Sequence, residues 1–578
     1  MTLKQLLINL LMVIMEENYD MVDPLLRPAI IDVHQLLPEY DFIVVGAGSA
    51  GSVVASRLSE VASWSVLLIE AGPDEDFQSE TPRLAFSLWN SWADWNYTSV
   101  PQKNACRGTS AGRCYWPRGR LLGGSSASNT MFYTRGNRRD YDGWEAAGNP
   151  GWGFKRVLPY FLKSQDQTSP KYLYRPGGYH TTGGYLTTSD SPWAPELAQD
   201  FMRAAKLLGH EETDLNGAKQ SGFSLFHGTM RNGSRCSTAK AFLRPARLRE
   251  NLHVLTEAEA SRVLTFDRTA NGVEFVHSEL RFKVKARKEV ILSAGTINSP
   301  QILLKSGVGP KTHLAEMGIP LVHNLPVGEN LHDHVGVLLE FRSDSPVSNS
   351  FGVFSTDEAV SDYVKRGVGP LTGGGIDAMG LFSSSKVHST LDYPDIGVLL
   401  LGGPLDDERS PEIWNLFPVL VRPKSRGRVT LGADGAPLMD PQYLTAGGDA
   451  EALKEAVRFA FDLADTAAMK RRGATFNSAV YSNCAHLKFR TGPHIDCLVA
   501  NYSITFFHPV GTCRMGPPYN PASVVDSQFR VHGVSRLRVV DGSAMPEVVN
   551  TPTNAPIIMM AERAADLIKD YWRDYQNN

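Results

Sequence analysis

Excess charge is nearly absent from this chain: 58 Lys and Arg face 61 Asp and Glu across 578 residues, a net charge of −3. Nucleic-acid binders carry a basic stripe and peripheral membrane proteins a polybasic patch, so the balance argues against both partner classes. An apolar run long enough to cross a bilayer is also missing. Spanning takes about 20 consecutive apolar residues, whereas Leu6 to Met15 is shorter and is interrupted by Asn9. Preceded by Lys4, that stretch has the n- and h-regions of a signal peptide without a clear small-residue cleavage site. It reads equally as an amphipathic leader. Internal repeats and low-complexity tracts are lacking too. Cysteine is scarce, at six. Cys106 and Cys114 are close in sequence, as are Cys484 and Cys497, so an oxidising compartment would allow two local disulfides. Cys236 and Cys513 would then be left as buried thiols. Sequons at Asn96, Asn232 and Asn501 are compatible with secretion, and the expectation is a secreted or secretory-lumen protein.

What is present points to an enzyme. The composition, 42% hydrophobic and 21% charged, is that of a soluble globular protein with a substantial core, and the length suggests about three or four domain-sized units. The 51 glycines and 35 prolines imply many tight turns in an α/β or α+β architecture. The most informative segment is Asp41 to Gly51. Phe42 to Val45 form a short apolar run, as expected of a strand buried in a parallel sheet. Gly46, Gly48 and Gly51 follow at GxGxxG spacing: a tight turn, a close approach of backbone to pyrophosphate, and close helix packing. Ser52 to Glu60 read as the helix whose positive end faces that pyrophosphate. Ser65 to Ile69 read as the next strand, ending at Glu70, whose carboxylate would accept from the ribose hydroxyls and repel a 2′-phosphate. A flavin or nicotinamide dinucleotide is the implied ligand.

Further along, Pro117 to Trp144 is rich in small residues, and consecutive Gly and Ser at Gly123 to Ser126 would let backbone lie against a flat ring. Residues 165–192 read as a long surface connection. Val290 to Leu292 read as a buried strand turning at Gly295 into a helix, with Pro300 in its first turn. From about 336 to 500, Val335 to Phe341, Ile396 to Leu401 and Val419 to Arg422 suggest an antiparallel sheet, and Ala450 to Ala467 an amphipathic helix. Arg538 to Gly542 read as a final central strand, followed by a helix over Ala555 to Trp572.

These segments together resemble the glucose–methanol–choline (GMC) family of FAD oxidoreductases over almost the whole chain. The resemblance is carried by the opening clamp, Gly119–Asn129, Gly295–Gly309, Asn324–His334 (NLPVGENLHDH), His508–Gly516 (HPVGTCRMG) and Asp541–Gly542. The run Cys114 to Gly119 is similar to the insect branch. The resemblance implies an α/β, Rossmann-like, discontinuous FAD-binding domain (36–175, 225–335 and 500–573) after a leader (1–35). It also implies an α+β substrate-binding cap (176–224 and 336–499) carrying a six-stranded antiparallel sheet. Implied cofactor-binding residues are Gly46, Gly48, Ser49, Ala50, Gly51, Glu70, Ala71, Arg118, Gly123, Gly124, Ser125, Asn129, Val254, Asp541, Gly542 and Asn554. No metal site is implied. In some choline-oxidising relatives a histidine at the position of Ser128 is linked to the flavin; serine cannot form that bond, so FAD is expected to be held non-covalently.

Alcohol oxidation requires a base for the hydroxyl proton and an acceptor for the hydride. His508 is the implied base, since imidazole titrates near neutrality. The helix beginning near Ala555 could stabilise charge on a reduced flavin through its free amides. One position departs from the family pattern. Pro552 stands where a second His or Asn usually binds the substrate oxygen, while Asn550 and Asn554 lie two residues to either side. The expected activity is oxidation of a small-molecule alcohol, with an organic electron acceptor or oxygen left open. Alternatives are a hydroxynitrile-lyase-like reaction with structural FAD, and a non-catalytic flavoprotein. Phe506, Phe507, Trp414 and Phe417 favour a hydrophobic alcohol such as a retinoid or sterol.

Overall fold

The computed structural model describes residues 2–17, 23–175, 177–344, 347, 351–388, 390–403 and 412–577. Its first half is organised by a parallel sheet. Strands β1 (Glu39–Val45), β2 (Val66–Ile69), β3 (Leu252–Leu255) and the C-terminal half of β4 (Leu280–Leu292) run in the order β3-β2-β1-β4. β5 (Leu537–Val539) pairs in parallel with the other side of β4. Phe42 to Val45 and the whole of β2 are buried, which is why these strands read as continuous apolar runs instead of alternating ones.

The register brings the strand ends level. Val45 is opposite both Ile69 and Leu292, and Leu292 is opposite Val539. Gly46, Glu70, Ser293 and Val540 therefore leave the sheet at one edge, the carboxyl edge where ligands bind in open α/β sheets. Helix α1 (Gly51–Leu58) connects β1 to β2, α2 (Gly295–Lys305) follows β4, and α3 (Asn554–Asn577) closes the chain. Beyond the parallel region, the N-terminal half of β4 joins Thr269–His277 and Ala258–Phe266 in an antiparallel hairpin arrangement.

Pro300 is not in the first turn of α2 but is its sixth residue. A proline there removes the hydrogen bond to Thr296, and the Thr296 carbonyl accepts the Thr512 hydroxyl at 2.7 Å instead. β5 is short, and among the described residues it is flanked beyond β4 by the turn Phe529–Val531, so it lies at that side of the parallel region rather than in its centre. Residues 165–192 are more ordered than a surface connection. Gln165–Gln167 and Leu186–Asp190 pair in parallel, and Gln165, Gln167 and Thr188 are buried in mutual hydrogen bonds with His180 and His227.

The second half is built on an antiparallel sheet. Its path runs Thr475–Phe476, Leu339–Arg342, Ile413–Leu420, Ile396–Leu401, Ala378–Phe382 and Gly222–Leu225, with Val335–Val337 and Ser503–Thr505 attached beside it. The expected six-stranded path is present and two short strands extend it. Helix Asp449–Ala464 packs its buried Leu453, Ala456, Val457 and Ala460 into the core shared with this sheet.

Cys106–Cys114 and Cys484–Cys497 are disulfide-bonded, with Cα separations of 5.5 and 5.7 Å, while Cys236 and Cys513 are free and buried. Leu3–Glu17 form an amphipathic helix. Its Leu6, Leu10 and Ile14 share a buried cluster with Val360, Tyr363 and Val364, and Asn9 donates to Asp357 at 2.7 Å. Among the described residues, no helix is long and apolar enough to cross a membrane.

α1 and α3 are tied by one buried ion pair. Arg57 donates through Nε (2.9 Å) and Nη2 (2.8 Å) to the carboxylate of Glu562, which has no exposed surface. Removing one partner of such a pair strands the other charge without solvent and costs about 3–5 kcal/mol. Glu562→Ala should therefore lower the chemical-denaturation stability by up to about that amount, and Glu562→Met, which likewise removes the two-point acceptor and leaves Arg57 only its pair with Glu60 at 2.8 Å, should not rescue it.

Candidate active site

At the carboxyl edge of the parallel sheet lies a partly open cavity. Two glycines make it possible. A Cβ on Gly51 would sit 1.8 Å from the Gly46 carbonyl oxygen, so only glycine lets α1 start this close to β1. Gly124 has φ +52°, and a Cβ there would lie 2.7 Å from the Gly48 Cα. The two glycine-rich segments thus touch through bare backbone, as a site for a flat dinucleotide requires. No side chain caps the first turn of α1, which leaves its amides open to an anion.

Glu70 closes the other end. Its two carboxylate oxygens accept from the backbone of Ala47 (2.8 Å) and Gly72 (2.9 Å), and each retains a lone pair for a hydroxyl donor. Burial pushes its pKa up to about 7 against these hydrogen bonds. Asp541 braces the middle of the edge. It accepts from Gly295 N–H (2.9 Å), the Ser299 hydroxyl (2.6 Å) and Ser543 N–H (2.8 Å), so the start of α2 is fixed to the end of β5.

The cavity wall includes Gly46, Gly48, Ser49, Ala50, Glu70, Ala71, Arg118, Gly124, Ser125, Asp541 and Gly542. Gly51, Gly123 and Val254 lie outside it. Gly51 acts through helix packing. Gly123 turns with φ +87° and donates its N–H to Ala47. Val254 is buried in β3, its carbonyl occupied by Ile31 N–H at 2.9 Å. Asn129 and Asn554 line a neighbouring cavity. The wall also holds Trp95 and Tyr97, stacked with ring centroids 5.7 Å apart, and Tyr97 donates to Asn298 at 2.7 Å. No motif singled these out; the aromatic content of Trp89 to Tyr97, ahead of the Gly/Ser-rich loop, was the available signal.

The second cavity shares Ser49, Arg118, Ser125, Thr553 and Ile557 with the first. His508 lines it. The preceding residue, Phe507, has φ +65°, a conformation that costs on the order of 1–3 kcal/mol for a bulky side chain and persists where surrounding bonds enforce it. Those bonds are present. Phe507 N–H donates to the Thr505 hydroxyl (2.7 Å), its carbonyl accepts from Arg118 (2.5 Å), and His508 N–H donates to Asp333 (2.8 Å). Asp333 also accepts from Thr505 at 2.5 Å and from Tyr443. Burial raises the Asp333 pKa to about 6. The same burial, with His334 and the Arg118 cation nearby, holds the His508 pKa well below the usual imidazole range.

Pro552 lines this cavity. Asn550 does not replace the missing side chain, because it is fully buried and donates to Gln220 (2.8 Å) and the Pro394 carbonyl (3.2 Å). Asn554 reaches the cavity, with its oxygen accepting from Ser49 at 2.7 Å. Of the anticipated aromatics, Phe417, Phe506 and Phe507 form part of the wall, whereas Trp414 is buried in the core of the antiparallel sheet and stacks on Phe341. Asp333 and His334 acquire their place only in the fold.

Residues 40–336 and 423–561 match the two models described as GMC oxidoreductase. The glucose dehydrogenase (FAD, quinone) of Drosophila melanogaster is 39% identical over 587 residues, covering 98% of this chain and 92% of that protein. The ecdysone oxidase of Bombyx mori is 35% identical, covering 92% of this chain and 82% of that protein. The crystal structure of pyridoxine 4-oxidase from Mesorbium loti superimposes with a TM-score of 0.79 at 28% identity, covering 93% of this chain and 100% of that one. FAD is the cofactor. The contact of Gly48 with Gly124 and the acceptor pair on Glu70 fit its dinucleotide half.

The ionised form of Glu70 is the stronger acceptor for a ribose hydroxyl. Glu70 becomes neutral below about pH 7, so FAD binding should be tightest above that pH and weaken as pH falls through it, by up to about tenfold per unit. Fluorescence titration of flavin release measures this; a pH-independent affinity, or a Glu70→Gln variant with unchanged affinity, would contradict it. Because Ser128 offers no imidazole, acid precipitation should leave the protein pellet colourless.

Proposed function

The chain belongs to the GMC oxidoreductase family, and from that premise we propose that it oxidises the CH–OH group of a hydrophobic alcohol, with His508 taking the hydroxyl proton. It is an FAD-dependent oxidoreductase of a family acting on alcohols or sugars. Bound FAD supplies the hydride acceptor. His508 supplies the base. Because burial keeps its imidazole neutral at physiological pH, a nitrogen lone pair is available throughout that range, and proton uptake raises the hydride-donating power of the substrate carbon. Arg118, in the walls of both cavities, favours negative charge on the oxygen as that proton leaves.

The substrate class rests on the far wall. Leu338, Ile376, Leu399, Leu401 and Phe417 face the cavity from the antiparallel sheet and its flanks, and none carries a polar side-chain atom. A sugar buried there would leave hydroxyls without partners, at about 1–3 kcal/mol each. A retinoid or sterol would bury apolar surface worth about 25 cal/mol per Å². The relatives' names point both ways, to glucose and to ecdysone, and the chemistry of this wall supports the hydrophobic alcohol. Two disulfides and exposed sequons at Asn96 and Asn232 support a secretory-pathway location.

Under anaerobic conditions, a retinol or sterol should bleach the flavin of the purified protein, whereas glucose and choline should not. Faster bleaching by glucose would overturn the substrate assignment. His508→Ala should retain FAD and slow bleaching by about 10²–10⁴-fold. The native rate should stay flat through neutral pH and fall only in acid, as His508 becomes protonated.

A further inference from the structure

The His508 ring has a second partner. Its Nδ1 lies 3.0 Å from Nδ1 of His334, with the ring planes at 87°. Two imidazole nitrogens this close are bonded only if one carries the proton and the other a lone pair. The backbones around them are cross-tied. Val335 pairs with Thr505, the His334 carbonyl accepts from Phe506 N–H at 2.9 Å, and Asp333 holds His508 N–H. The separation is therefore set by the sheet. His334 has no exposed surface.

We propose that His334 is a positioning residue for the oxidation, accepting the Nδ1–H of His508 so that His508 presents a bare Nε2 to the cavity. The inference rests on the reading of His508 as the base. The opposite tautomer would place a proton on Nε2 of His508 and turn it into a donor, unable to accept from an alcohol. The role of His508 as base selects the first arrangement. Burial, with the Arg422 cation nearby, holds the His334 pKa at about 3, so this ring stays singly protonated. In that arrangement the one proton of His334 is on Nε2, which is buried with no hydrogen-bond partner among the described residues. When the substrate hydroxyl proton moves to Nε2, the His508 cation that forms still donates Nδ1–H to a neutral acceptor. No charge need move onto His334. Asp333 and His334 thus serve different ends: the carboxylate fixes the backbone of His508 and the imidazole fixes its proton.

Nitrogen-15 NMR of histidine-labelled, FAD-loaded protein at neutral pH reads the tautomer directly. His508 should show a protonated Nδ1 and an unprotonated Nε2; the reverse pattern overturns the proposal, whatever the enzyme's activity. In kinetics, His334→Phe should lower kcat roughly 10–100-fold with KM and FAD content little changed. His334→Asn, whose amide oxygen can accept the same proton, should recover most of the loss. An unaltered kcat in His334→Phe, or equal losses in both variants, would refute the role. If the Phe variant fails to fold, the NMR result on the unaltered protein still decides. An inactive-site reading would announce itself separately, as full activity in His508→Ala.

Discussion

The proposed oxidation depends on an imidazole that is immobile and uncharged. Immobility comes from a chain of short bonds. Thr505 links Phe507 N–H to Asp333, Asp333 takes His508 N–H, and Arg118 takes the Phe507 carbonyl. The left-handed turn at Phe507 persists because these three contacts over-determine it. Neutrality comes from burial between two halves of the molecule, which removes the water that would stabilise an imidazolium. Neither property belongs to His508 alone, and each would fail if the halves separated.

The site's histidines are held at the start and end of two paired strands of the antiparallel sheet. Val335–Val337 and Ser503–Thr505 pair with each other where the chain passes between the sheets, and each runs directly from or into a residue of the site. The parallel sheet contributes an edge where β1, β2, β4 and β5 end level, so glycine backbone, Glu70 and Asp541 converge there. The antiparallel sheet contributes an apolar wall. Ser49, Arg118, Ser125, Thr553 and Ile557 belong to both cavities, so in the proposed reaction an alcohol at this junction would lie between the cofactor and the base. The ion pair from Arg57 to Glu562 secures the helix that carries Asn554 and Ile557 to this junction.

What could be read from the sequence, and what could not, divides by distance along the chain. Phe42 to Val45 and Val66 to Ile69 were legible because a strand buried on both faces must be apolar throughout, and Gly51 because only the absence of a Cβ allows its packing. Pro300 misled, since proline is at home in a first turn; a hydroxyl from Thr512, 216 residues away, accommodates it deeper in the helix. Residues 165–192 looked like a surface loop because their polar side chains satisfy one another inside the protein, a fact no composition reveals. The NLPVGENLHDH segment was recognisable as a motif, yet the pairing of His334 with His508 spans 174 positions and emerges only when the sheet register is known. The substrate wall was the least legible part, because apolar cap residues look alike whether they fill a core or face a ligand: Phe417 faces the cavity and Trp414, three residues before it, does not.

Single-turnover reduction of the flavin by an alcohol deuterated at its carbinol carbon tests the central claim most directly. Anaerobic stopped-flow with protiated and deuterated retinol should show bleaching in both cases, slowed several-fold by deuterium, because the carbon–hydrogen bond breaks as the hydride leaves. A flavin that stays oxidised under saturating retinol and sterol, or a bleaching rate indifferent to deuterium at every pH, would contradict the account.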